Sequence, residues 1–252
     1  KGERKSVKAA YGTGEGKTTG ICDVLRTEEK YPLSYVAARA LAARLRTVLQ
    51  EDEHMRGGSG YIVRSLYFDS ISDQDYFEKE AGLLCHKKIR LRVYGGRAQS
   101  AKLEWKQKQG SVQRKRSLTI DRQDAKALIQ GDYACLRNYP EPIAEEFYTV
   151  MSGWLYRPKC IVQYNRAAFI NATNNIRITL DSNIQSHEGC FELFQEKIPL
   201  YPIYPPDLVT LEVKYDHFLL SYIKDVIVSY AGMQTASSKY VAARKYGLGG
   251  LS

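Results

Sequence analysis

The stretch KKIRLRVYG, residues 87–95, decides how the chain folds. Within it, cationic and apolar side chains alternate one by one: Lys88, Ile89, Arg90, Leu91, Arg92 and Val93. Because successive side chains of a β-strand point to opposite faces, one face of this strand is apolar and the other is fully charged. The stretch therefore predicts a strand that covers a hydrophobic core on one side only.

The same alternation returns in three further stretches: AKLEWKQK (101–108), NIRITLDS (175–182) and TLEVKYD (210–216). Two interpretations fit this pattern. An antiparallel sheet with helices on one side and water on the other gives such alternation. Like charges on neighbouring strands are destabilising, however, unless an anion lies among them. A sheet curled so that its charged face lines a tunnel would gather phosphates in this way. The alternation alone leaves both interpretations open.

Helices are expected between the strands. Ser34 can cap a helix that runs to about residue 50, since Leu41, Leu45 and Leu49 recur at four-residue spacing on one face. Further helical stretches are predicted at about 121–131, 141–153, 217–231 and 237–246. Their apolar faces can cover the apolar side of the strands. The predicted fold class is α+β, with an antiparallel sheet and helices packed outside it.

The composition favours a polyanionic ligand. The chain has 252 residues, a net charge of +9 and a pI near 9.2. Its five cysteines are an odd number, widely spaced and without a CxxC pair, which favours a reducing compartment and a cytoplasmic location. No apolar run reaches the roughly 18 residues of a membrane helix.

A glycine-rich stretch near the start, YGTGEGKTTG (11–20), is similar to a phosphate-binding loop. Such a loop reads G-x-x-x-x-G-K-[ST], lies after a buried strand and opens a helix. Here Tyr11 stands where the first glycine belongs, and neither flank has the sequence pattern of a buried strand or a helix. We interpret residues 1–21 as a flexible leader and residues 22–252 as the folded domain.

A series of collinear motifs points to a family. They are RTEEKY (26–31), VRSLYFDS (63–70), KKIRLRVYG (87–95), LEWKQK (103–108), RKRSLTI (114–120), YNRAAF (164–169), IRITLD (176–181), LEVKYD (211–216) and SSKY (237–240). In sequence and spacing they resemble the VTC domain, the polyphosphate polymerase domain of the vacuolar transporter chaperone family and its bacterial relatives. The resemblance implies a triphosphate tunnel metalloenzyme fold, an antiparallel β-tunnel of about eight strands whose lumen binds a triphosphate.

The resemblance also implies roles for individual residues. The phosphate-binding cations match Lys30, Arg90, Arg92, Lys106, Arg166, Arg177 and Lys239, and the metal-binding glutamate matches Glu212. In RKR the register is ambiguous, and Lys115 is favoured because it faces away from Leu118 and Ile120. The expected catalytic set is Lys30, Arg90, Arg92, Lys106, Arg166, Arg177 and Glu212. Thr27 departs from the family, in which many members carry histidine. The four histidines lie outside the motifs and are interpreted as structural or surface residues, not as catalytic ones.

The implied activity is transfer of the terminal phosphate of ATP to a growing polyphosphate chain, with Mn²⁺ or Mg²⁺ held by Glu212. A triphosphatase of the same fold and a noncatalytic module that binds polyphosphate or inositol phosphates are the alternatives. Nucleic acid is not expected as a ligand, since the sequence has no nucleic-acid-binding signature and its arginines lie on inward strand faces. A membrane-embedded protein is a further possible partner implied by the resemblance.

Overall fold

The computed structural model describes residues 26–248 except 56, 57, 59, 111 and 236. The predicted leader, residues 1–21, lies outside this part. The strands are β1 (Arg26–Ser34), β2 (Gln50–Glu51), β3 (Tyr61–Asp69), β4 (Cys85–Val93), β5 (Ser100–Gln109), β6 (Val112–Asp121), β7 (Arg157–Asn171), β8 (Ile176–Glu188), β9 (Tyr201–Pro202) and β10 (Leu208–Asp216). The helices are α1 (Tyr35–Val48), α2 (Gln74–Glu80), α3 (Arg122–Gln130), α4 (Pro142–Gly153), α5 (Ser221–Val228) and α6 (Lys239–Leu248).

All strands belong to one antiparallel sheet in the order β1-β10-β8-β7-β3-β4-β5-β6, with the two-residue strands β2 and β9 paired at its margin. The sheet is strongly curled, because Glu28 on the edge strand β1 lies 3.6 Å from Lys106 on β5. Among the described residues, no backbone ladder joins β1 to β6. The sheet therefore forms the expected tunnel but is not a closed barrel: β1 meets β5 through side chains and not through backbone pairing.

The apolar sides of the strands face outward onto helices. Ile89, Leu91 and Val93 of β4 are fully buried in a core that α3 and α4 complete. A second outer core joins α1 and α5 to β8 and β10. Burial of each large aliphatic side chain contributes about 1.5–3 kcal/mol, so this outer layer holds the curvature of the sheet.

Two of the helix starts follow from their capping residues. Ser34 accepts a hydrogen bond from the backbone N–H of Ala37 (3.2 Å), and Asp121 accepts one from that of Asp124 (2.8 Å). These caps confirm the starts predicted from the sequence. The helix predicted at 217–231 is shorter than expected, since His217 has a left-handed φ of 61° that cannot belong to an α-helix.

α6 differs from the outer helices because it packs against the concave face of the sheet. The ring of Tyr240 stacks on that of Tyr67 at 5.1 Å, and its hydroxyl donates to Asp69 (2.5 Å). Tyr164 and Val162 of β7 complete this inner cluster. α6 therefore fills part of the tunnel. No helix in the described ranges is long and apolar enough to cross a membrane.

Candidate functional site

The inner face of the sheet carries the charged residues predicted from the sequence. The structure brings together all of them except Arg177, around three groups of carboxylates. Each group is held by cations from neighbouring strands, so the alternation of β4, β5, β8 and β10 is what aims these side chains at one space. The tunnel interpretation of the sequence is confirmed, and the solvent-face interpretation is not.

The first group surrounds Glu104 on β5, which is 1% exposed. Its carboxylate accepts from Arg90 (2.8 Å) and Arg92 (2.6 Å) and pairs with Lys115 (2.5 Å). Burial alone would raise the pKa of Glu104, but the charges of these three cations outweigh it and hold the pKa far below its usual range. Arg116 points the other way and stacks on Trp105 at 4.2 Å, which agrees with the register chosen for Lys115.

The second group surrounds the fully buried Asp181 on β8. Arg166 donates two hydrogen bonds to it (2.7 and 2.8 Å), and the ammonium group of Lys239, the first residue of α6, lies 2.8 Å away. Both cations lie over the ring of Tyr164, at 5.2 and 4.9 Å from its centroid. The pKa of Asp181 is lowered because the two cations outweigh the effect of burial. Lys239 thus ties α6 to the predicted site.

The third group pairs Glu28 of β1 with Glu212 of β10. Lys30 lies 3.1 Å from Glu28 and 3.9 Å from Glu212, and Lys214 contacts both carboxylates. Although burial opposes it, the surrounding lysines lower the pKa of Glu28 to about 2 and that of Glu212 well below its usual range. Conversely, the charge of Lys214, with burial, lowers the pKa of Lys106 to about 7. Both carboxylates are therefore ionised at neutral pH.

One end of the tunnel opens into a cavity of about 440 Å³ rich in lysine. We call it the lysine end; it is lined by Lys30, Lys79, Lys88, Lys106 and Lys108. Lys88 donates to Ser238 just before α6 (2.7 Å). Its pKa is well below the usual range, because it is buried among other cations. Glu28 is the carboxylate in this lining, so the cavity carries an excess of positive charge that suits a polyanion.

Arg177 lies apart from the three groups. It donates to Asp52 (2.6 Å) and to the hydroxyl of Tyr61 (3.2 Å). Beside it, the rings of His54, Tyr61 and Tyr94 meet with centroids 4.8–5.8 Å apart. We call these three rings the aromatic end. This cluster could not be predicted from the sequence, because its members come from three separate segments and no motif contains His54.

The carboxylates fit a divalent cation only in part. Within the described ranges, no group of three or more His, Cys, Asp and Glu side chains is placed to hold a metal. Glu212 and Glu28 are nevertheless ionised, adjacent and bridged by the same two lysines. Mg²⁺ usually takes one or two protein carboxylates and completes its shell with substrate phosphates and water. This pair supplies that number of carboxylates.

The fold and the inner face together define a class of protein: an antiparallel tunnel lined by cations and carboxylates, as in the triphosphate tunnel fold. The profile of the VTC domain matches residues 25–247. The chain therefore belongs to the VTC domain family, and the resemblance inferred from the motifs is confirmed.

Solved structures of similar architecture share little sequence with the chain. A candidate adenylate cyclase from Bacillus halodurans has a TM-score of 0.48 at 12% identity, over 85% of this chain and 93% of that one. A protein from Pyrococcus horikoshii has a TM-score of 0.45 at 11% identity, over 87% of this chain and 99% of that one. A candidate adenylate cyclase from Vibrio parahaemolyticus has a TM-score of 0.44 at 9% identity, over 85% of this chain and 97% of that one. Comparison with curated proteins gave no significant match.

Proposed function

We propose that the chain is a metal-dependent phosphotransferase that moves the terminal phosphate of ATP onto a polyphosphate chain inside the tunnel. One observation carries this proposal: cations from β1, β4, β5, β7 and α6 converge on one enclosed space. The family to which the chain belongs supports the choice of substrate. In the free protein these cations pair with carboxylates. In the proposed complex, phosphate oxygens replace carboxylates as their partners.

Unused hydrogen-bonding capacity also supports binding of an anion. Within the described part of the chain, the buried Nε of Arg92 and the buried hydroxyl of Thr179 have no hydrogen-bond partner. Thr179 lies opposite Glu212 in the sheet. A buried donor without a partner costs about 1–3 kcal/mol, and a phosphate oxygen would satisfy it. These two groups thus mark where a ligand would complete the site.

Phosphoryl transfer requires little covalent chemistry from the protein, but it requires positioning and charge neutralisation. In the proposed reaction, an oxygen at the end of the acceptor chain forms a bond to the terminal phosphorus of ATP, the bond to the bridging oxygen breaks, and ADP leaves with the electron pair. Arg90, Arg92 and Arg166 would hold the phosphates in line. Glu212, with Glu28 beside it, would hold Mn²⁺ or Mg²⁺, which neutralises charge that develops on the phosphate oxygens. Lys30 and Lys106 would orient the acceptor.

The other partners follow from the same proposal. ATP or another triphosphate is the donor and polyphosphate the product, whereas a nucleic-acid duplex does not suit cations that face an enclosed space. We place the protein in the cytoplasm, where ATP is available, and the described cysteines are all free thiols. A membrane-embedded partner remains part of the proposal.

Product analysis tests the reaction. Wild type and Glu212→Gln are incubated with ATP and Mn²⁺, and long polyphosphate is separated from free phosphate. We expect long polymer from the wild type and a loss of at least about a hundredfold in turnover from the variant, which should still bind triphosphate. The matched control is Glu146→Gln, since Glu146 pairs with Arg116 on the outer face.

The outcomes separate the candidate functions. Free phosphate without polymer would identify a triphosphatase, in which water replaces the acceptor. Binding of triphosphate or polyphosphate without any product would identify a noncatalytic module. An active wild type that Glu212→Gln matches would show that Glu212 does not hold the metal.

A further inference from the structure

Three aromatic rings from separate segments meet at the aromatic end of the tunnel. His54 belongs to a short 3₁₀ turn (Glu53–Met55), Tyr61 begins β3, and Tyr94 follows β4. The ring centroids of His54 and Tyr94 are 4.8 Å apart with a tilt of 31°, and Tyr61 meets both rings edge-on at 5.4 and 5.8 Å. The three rings form one continuous aromatic surface.

This surface adjoins the phosphate-binding cations. The guanidinium of Arg92 lies over the ring of Tyr94, 5.3 Å from its centroid, and Arg177 donates to the hydroxyl of Tyr61 (3.2 Å). Along β4 and the residue after it, Lys88, Arg90, Arg92 and Tyr94 follow one another at two-residue intervals. Six residues of strand span roughly 20 Å, so the rings and Lys88 lie on opposite sides of Arg90.

The two ends of the tunnel therefore offer different chemistry. The lysine end is lined by ammonium groups and polar side chains, with His86 as the aromatic residue in that lining. At the aromatic end, His54 is exposed and Tyr94 is 37% exposed, so their rings can be reached from solvent. Aromatic side chains beside a guanidinium group suit a planar base attached to phosphates.

We infer that His54 and Tyr94, with Tyr61 behind them, form the site on which the base of a bound nucleoside triphosphate stacks. This inference rests on the proposed function, because it assumes that a nucleoside triphosphate enters the tunnel. When Arg90 and Arg92 hold the phosphates, the nucleoside lies at the aromatic end and the terminal phosphate points toward Lys88. Stacking tolerates any base, so GTP binds about as tightly as ATP.

The experiment compares ATP with inorganic tripolyphosphate, which has the same number of phosphates but no base. Dissociation constants of both ligands are measured by titration calorimetry for wild type, His54→Ala and Tyr94→Ala. We expect each variant to weaken ATP about fivefold or more and to leave tripolyphosphate within about twofold. Tyr201→Ala is the matched control, since Tyr201 is also half exposed and lies 5.5 Å from a histidine ring, that of His187.

The inference is overturned if both variants weaken ATP and tripolyphosphate by the same factor, or if neither variant changes ATP binding. In either case the rings would have no contact with the base, while the proposed function would stand. A wild type that binds neither ligand would remove the proposed function, and the inference with it. The two failures are thus distinguishable in a single set of titrations.

Discussion

Replacing Glu104 by glutamine removes the negative charge that three cations share inside the tunnel. The carboxylate is 1% exposed and lies 2.8 Å from Arg90, 2.6 Å from Arg92 and 2.5 Å from Lys115. Glutamine has nearly the same shape, so the change isolates the charge. Removing one partner of a buried ion pair costs about 3–5 kcal/mol. Because the side chain of Lys115 is 42% exposed and can turn toward water, we expect the free energy of unfolding to fall by about 3 kcal/mol, the lower end of that range.

The same variant should gain affinity for an anion. Without Glu104, the two arginines lack a counter-charge that tripolyphosphate can supply. If the variant binds tripolyphosphate tenfold more tightly than wild type, saturating ligand stabilises it by about 1.4 kcal/mol more. The assay is urea unfolding with and without tripolyphosphate, which gives the free energy of unfolding in both states.

Glu196→Gln is the control for this experiment. Glu196 pairs with Arg97 on the surface, and such exposed pairs contribute about 1 kcal/mol or less. The control should neither unfold more readily nor change its response to tripolyphosphate. The reasoning is refuted if Glu104→Gln lies within 1 kcal/mol of wild type without ligand and responds to tripolyphosphate as wild type does.

Three other predictions concern pH, the arginines and the leader. Burial and the nearby Asp69 raise the pKa of Asp75 to about 7, so its neutral form stabilises the fold below about pH 4 and this contribution is lost as the pH rises to 7. Between pH 5 and 7, the free energy of unfolding of wild type should therefore fall relative to that of Asp75→Asn, by at most about 1.4 kcal/mol per pH unit. Urea unfolding at each pH measures both values, and parallel pH curves for the two proteins would contradict the prediction. Arg166→Ala should weaken tripolyphosphate binding at least about tenfold in calorimetry, while Arg44→Ala on α1 should not, and equal affinities would remove Arg166 from the site. Deleting residues 1–21 should leave triphosphate affinity nearly unchanged, and a tenfold loss would revive the phosphate-loop interpretation.

Local pattern predicted the strands and the inner face well, because a period of two residues leaves little freedom. The register of β4 fixes Arg90 and Arg92 on the face opposite Leu91, and the structure agrees. The same rule selected Lys115 over its arginine neighbours. Capping residues such as Ser34 and Asp121 act within three residues of sequence, so the helix starts could also be predicted.

Placement across the sheet could not be predicted in the same way. The alternation of β8 correctly predicts that Arg177 points inward. It nevertheless lies at the aromatic end beside Asp52, because position along the tunnel depends on how distant strands are staggered. Likewise, the position of α6 on the concave face depends on Tyr240 meeting Tyr67, and no local pattern records that contact.

The burial of the carboxylate partners could not be predicted from the sequence either. Glu104 and Asp181 look like charges that merely balance their neighbours along the strand, and the sequence assigned neither to the site. In the structure each is buried and holds cations from other strands or from α6. Only a tertiary arrangement shows that one carboxylate serves several cations.

The contact of β1 with the far side of the sheet determines how the tunnel can open. Among the described residues, the Glu28–Lys106 ion pair joins β1 to β5, and Thr235 in the segment before α6 donates to the carbonyl of Lys30 on β1 (2.8 Å). Separating this ion pair breaks no ladder of backbone hydrogen bonds, because no backbone pairing of described residues joins β1 to β5 or β6. The tunnel thus has a lateral seam, along which its two sides can part without loss of sheet pairing.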